Sequence, residues 1–139
     1  MSAETHPDGL LFGPTKNGKR YLATFAHRGG NPKKSRWADD VAPPTEFAIF
    51  ESADDNGQSD TEGHYWGVWG SDGAVLGARG ERLAKFPRNG VPAIPWHGYP
   101  VAPASGRSSE IPPDTLIEAM IESGALSRTL GRKLQRRKA

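Results

Sequence analysis

The sequence predicts an α+β domain: a small, strongly twisted antiparallel sheet from about Leu10 to Phe86, a proline-rich coil packed on it, and two short C-terminal helices. Three observations carry that expectation. Short runs of strand formers alternate with Gly, Asn and Asp turn signals through the first part of the chain. Seven prolines then fall between Pro87 and Pro113 and interrupt any regular element. Beyond them, leucine and isoleucine recur at helical spacing. The 139 residues suit one domain, and 17 glycines with 12 prolines make it turn-rich.

Residues 1–9 are polar, with Pro7 and Gly9, and read as a disordered N-terminal end. Residues 10–103 form the β-rich body. Leu10 to Phe12 and Arg20 to Ala26 flank a Lys16-Asn17-Gly18-Lys19 turn signal and form a hairpin. After Pro43-Pro44, the run Phe47-Ala48-Ile49-Phe50 within Glu46 to Glu51 reads as a buried strand. Ser52 to Gly63 holds no apolar residue larger than alanine and reads as an exposed, mobile loop. Tyr65 to Trp69 and Ala74 to Ala78 flank Ser71-Asp72-Gly73, the pattern of a hairpin whose glycine supplies the positive φ of a type I′ turn. Glu81 to Phe86 fits a short helix or another strand, and Pro87 stops either.

Ile94 to Val101 is an extended coil pinned by its aromatics, and residues 104–113 read as a linker. Residues 114–139 form a helical pair with a basic end. Thr115 with Glu118 fits a capping box, and Leu116, Ile117, Met120 and Ile121 make one apolar face. Gly124 ends this helix, and Ser127 caps a second with Leu126, Leu130 and Leu134 at four-residue spacing. Gly131 inside it costs about 1 kcal/mol relative to alanine.

Charge is sorted into blocks. From Lys16 to Arg36 stand seven bases and no acid, and from Asp39 to Asp72 nine acids and no base. These neighbours can answer one another within the fold. The last 17 residues are different: six bases, Arg128, Arg132, Lys133, Arg136, Arg137 and Lys138, stand with no acid among them. Residues 1–122 carry 12 bases against 16 acids, so the tail alone makes the net charge +2.

No cysteine is present, which removes disulfides, thiol nucleophiles and thiolate metal sites. His6, His27, His64 and His97 lie far apart with no HxxxH or HExxH spacing, so neither a metal nor another cofactor is expected. Gly67, Gly70, Gly73, Gly77 and Gly80 lack the following helix that a phosphate-binding loop requires, and turn geometry explains them better. His97, between Trp96 and Tyr99, is the one candidate general acid or base. Joined by His27, Arg79 and Glu81, it would make a metal-independent ribonuclease; alone, it is a half-buried histidine bracing the coil.

The basic tail carries the stronger signal. Arg128, Arg132 and Arg136 stack at i, i+4 and i+8, with Lys133 and Arg137 adjoining and the leucines on another face. Such like-charge pairs each destabilise a helix by a few tenths of a kcal/mol unless an anion compensates. The expected partner is a nucleic acid of undetermined type, bound by a small accessory protein of a bacterial-type cytoplasm. Lys33, Lys34 and Arg36 would add phosphate contacts, and Trp37 and Trp96 would stack on bases. Two other readings stay open: an inhibitor or immunity-type module meeting a basic protein through Asp39 to Asp72, and the ribonuclease centred on His97. No membrane contact is expected, since no apolar run is long enough to span and the tail helix lacks Trp or Phe.

Overall fold

The computed structural model describes residues 3–28, 35–91 and 93–139. Among them the fold is a mixed α+β arrangement of two three-stranded antiparallel sheets and three helices. The first sheet joins β1 (Glu4–His6), β2 (Gly9–Phe12) and β3 (Tyr21–Thr24), in register Leu10 to Thr5 and Leu10 to Ala23. The second joins β4 (Tyr65–Gly67), β5 (Leu83–Phe86) and β6 (Tyr99–Val101), with Trp66 opposite Lys85 and Ala84 opposite Pro100.

The helices α1 (Pro43–Asp55), α2 (Asp114–Ser123) and α3 (Arg128–Gln135) cover these sheets. Side chains alternate across a strand, and β5 uses both faces. Ala84 and Phe86 join a core with Phe12, Tyr21, Phe47 and Phe50, so α1 packs against both sheets. Leu83 lies on the opposite face, in a second core with Trp66, Val101 and the apolar residues of α2 and α3. The first core is aromatic: Phe47 stacks on Phe12 with centroids 5.3 Å apart, and Phe50 meets Tyr21 at 5.1 Å and Phe86 edge-on at 5.2 Å. Large rings thus supply the volume that a glycine-rich chain lacks.

Several expectations need correction. Phe47 to Phe50 is helical, because Pro43 and Pro44 occupy the first turn, where their missing N–H costs nothing. The helical period runs through Glu46, Phe47, Phe50, Ala53 and Asp54, all buried, and two carboxylates on that face hide it from a reading of apolar residues alone. Ser52 to Asp55 is the last turn of α1, and the segment after it is stapled in place. The Gln58 side-chain amide donates to the Trp66 carbonyl at 2.9 Å, while the Asp60 carboxylate accepts the His64 N–H and the Trp66 indole N–H. Glu4–His6 is a strand rather than part of a loose end.

The hairpin about Asp72-Gly73 does not form. β4 pairs with β5, and residues 70–73 make a tight turn in which the Gly73 N–H bonds the Gly70 carbonyl. Gly73 has φ of 69°, and the Leu130 methyl group fills the space where its side chain would stand. Gly77 instead bridges Trp37, with the Glu81 carboxylate packed over it. Within Glu81 to Phe86, Leu83–Phe86 is strand, and residues 104–113 hold short 3-10 turns, with buried Glu110 accepting from the Ser105 hydroxyl. α2 opens after Pro113 with no side-chain cap, so the Thr115 and Glu118 capping box is absent.

Candidate nucleic-acid interface

α3 is fixed at its N-terminal end and along one face. Ser127 caps it, its hydroxyl accepting the Leu130 N–H at 3.2 Å. Leu126, Leu130 and Leu134 are buried against Ile117 and Met120 of α2. Gly131 is where α2 comes closest: a Cβ there would strike the Ile121 side chain. The helix thus accepts a residue of poor propensity in exchange for close packing. Its cationic face is thereby held at a fixed angle to the body.

The side chains on that face meet two different fates. Arg132 is engaged: its guanidinium donates to both oxygens of Glu118, at 3.0 and 2.7 Å, and to Gln135 at 2.6 Å. These bonds hold the Glu118 carboxyl below its usual range. Arg128, Lys133, Arg136, Arg137 and Lys138 are exposed, and none of their side chains forms an ion pair among the described residues. The continuous arginine stripe of the sequence is therefore broken at its middle position, and the free charge lies on either side.

The acidic stretch behaves otherwise. Lys19 Nζ lies 2.8 Å from the Asp54 carboxylate, which also accepts the Thr15 hydroxyl at 2.7 Å. Burial works to raise the Asp54 carboxyl, but these bonds outweigh it and hold it below its usual range. Glu46, 1% exposed, accepts from the Tyr21 hydroxyl and from Arg28 at 2.7 Å. Here burial prevails and lifts the carboxyl to about 7 against those two partners. Lys16 approaches Asp55 at 3.8 Å. The first basic block and part of the acidic block thus answer each other across the first core, leaving Asp39, Asp40, Asp55, Glu62 and Asp72 exposed.

The remaining expected contacts scatter. Lys33 and Lys34 lie outside the described residues. Arg36 is exposed, beside the bridge at Trp37. Trp37 is not a stacking surface: it is 1% exposed and its indole N–H donates to the Gly98 carbonyl at 3.3 Å. Trp96 packs edge-on against Tyr65 at 5.3 Å and over Phe50 at 5.6 Å, and its backbone bonds Arg20 and Leu22. Both rings were needed inside. The exposed indole is Trp69, which the hairpin reading absorbed as a strand residue.

His97 is half-buried, and its Nδ1 is enclosed with no hydrogen-bond partner among the described residues. Burial, with the nearby His27, pushes its imidazole down. His27 stacks on Tyr99 at 5.2 Å and bonds the Ser35 carbonyl through Nδ1. Glu81 is buried, its carboxylate accepting the Arg79 N–H at 2.8 Å. The histidines are neighbours, and Arg79 and Glu81 line a cleft with Arg107 and with Ser35, whose carbonyl bonds His27.

Among the described residues no three His, Asp or Glu side chains gather where they would hold a metal ion, and no helix is long and apolar enough to cross a membrane. Compared with protein-family profiles, curated proteins and solved structures, the chain matches none.

Proposed function

We propose that the protein binds the phosphate backbone of a nucleic acid through α3 and the residues that follow it, as a non-enzymatic accessory protein of the cytoplasm. One observation carries the reading: Arg128, Lys133, Arg136, Arg137 and Lys138 are exposed and form no ion pair among the described residues, the first two on a helix whose other face is locked into the core and the last three directly after it. Like charges clustered on a rigid support raise the local potential, and a polyanion is the partner that relieves it. An inhibitor module acting through Asp39 to Asp72 has less support, because Glu46 and Asp54 are consumed inside the fold. The ribonuclease has less support as well, because Glu81 is buried with its carboxylate already accepting the Arg79 N–H.

The test is fluorescence anisotropy with labelled DNA and RNA across a salt series. Replacing Lys133, Arg136 and Arg137 with glutamine should weaken binding. It should also flatten the slope of log K against log salt by about 2.7 on duplex DNA and about 2 on a single strand, for three lost phosphate contacts. An unchanged slope and affinity overturns the reading. Substitution is the right tool, since deletion of 126–139 would also remove Leu126, Leu130 and Leu134 from the second core.

A further inference from the structure

Trp69 differs from the other tryptophans. Trp37 and Trp66 are 1% and 2% exposed, each with its indole N–H bonded inside the fold, and Trp96 packs against Tyr65 and Phe50. Trp69 is 45% exposed, belongs to neither core, and its ring meets no other ring among the described residues. Exposing an indole forfeits one of the largest burial gains available to a chain poor in apolar residues.

Its position is fixed relative to α3. The Ala74 N–H closes the turn onto the Trp69 carbonyl at 2.9 Å, the Ser127 N–H donates to the Ser71 carbonyl at 2.8 Å, and Leu130 packs on Gly73. Arg82 Nη1 donates to the Gly73 carbonyl at 2.7 Å, which anchors its guanidinium at the same turn. Trp69, Asp72 and Arg82 line an open cleft of about 520 Å3. Asp72 and Arg82 also line an adjoining cleft of about 400 Å3, together with Lys133 and Lys138. An indole thus opens onto a groove where three cations face one carboxylate.

We propose that Trp69 is a base-stacking platform for single-stranded nucleic acid, with the adjacent phosphates seated among Arg82, Lys133 and Lys138. A single strand exposes base faces that a duplex hides, and an aromatic platform beside a cationic groove is the arrangement that binds such strands without sequence preference. This rests on the backbone-binding reading of α3 and adds to it the kind of strand and the residue that meets the base.

The experiment titrates the full chain with oligo(dT), reading tryptophan emission and anisotropy across salt, with a DNA duplex and poly-glutamate as competitors. Quenched emission is expected, because the accessible indole is the one that stacks. Trp69→Ala should lower affinity about tenfold and abolish most of the quench while leaving the salt slope unchanged, since stacking and phosphate contacts are separate contributions. Trp69→Phe should recover part of the affinity. Circular dichroism of both variants should match the native protein, the site being exposed. If Trp69→Ala binds oligo(dT) as tightly as the native chain, or the duplex competes equally well, the platform is refuted while the α3 reading stands. If poly-glutamate displaces the strand as well as oligo(dT) itself does, the groove serves an acidic protein and the platform is refuted. No binding by the native chain sinks both.

Discussion

The aromatic core and the C-terminal helix both bring together side chains from a charge-sorted sequence, and they treat charge in opposite ways. Around α1, cations from one block meet carboxylates from the next: Lys19 with Asp54 and Arg28 with Glu46, each acid all but excluded from solvent. Across α3 and the residues after it, one cation of six, Arg132, forms an ion pair among the described residues, and does so at the surface. Charges enclosed in the first region are structural, because an unpartnered ion there would be costly. Charges left open in the second add nothing to folding and are available to an outside anion. Blocks of charge in sequence therefore acquire meaning from what the fold encloses.

Breaking the enclosed side should have the largest effect. Glu46→Ala leaves the Tyr21 hydroxyl and Arg28 without their acceptor and should cost about 3–5 kcal/mol by urea unfolding. The same residue gives a pH signature. Its folded-state carboxyl is raised from 4.5 to about 7, so the folded protein binds the proton more tightly than the unfolded chain does. That contribution to stability is present in full below about pH 4.5 and is lost as pH rises through 7. Glu46→Gln should flatten the decline between those limits, and a decline of unchanged depth would refute the assignment.

A smaller effect is expected where the exposed face depends on its support. Ser127→Ala removes the α3 cap and should cost about 1 kcal/mol in thermal unfolding. The smallest perturbation sharpens the comparison most. Glu118→Gln frees Arg132, so anion binding should tighten several-fold and the salt slope should steepen by about 0.9, one contact more on duplex DNA. An unaltered slope would mean that Arg132 faces away from the ligand.

The C-terminal pair was legible in the sequence down to the Gly124 end of α2 and the Ser127 cap of α3, though not at the N-terminus of α2, because leucine spacing, Gly124 and Ser127 are local signals that tertiary packing left alone. Gly124 is left-handed at φ of 84°, as a helix-ending glycine should be. The Leu10 and Arg20 hairpin was legible for the same reason. α1 was not, because its buried face includes Glu46 and Asp54, whose partners lie 18 to 39 positions away. The tryptophans were misassigned in both directions. Trp37 stands among charges yet is core and Trp96, among prolines, packs half-buried against it, whereas Trp69 stands in a strand-like run yet is exposed. Local context cannot rank the demand for volume at distant positions. The Arg132 pair was hidden similarly, since Glu118 sits on another helix.

Because Leu126, Leu130 and Leu134 close the second core over Trp66, Leu83 and Val101, the basic helix is not an appendage but the lid of a fold half. A protease cutting between α2 and α3 would release a body with an oily, open wall, prone to self-association. Selection for a sound interior and for the cationic face therefore meets within the same eight-residue segment, Leu130, Gly131 and Leu134 answering to the first and Arg128 and Lys133 to the second.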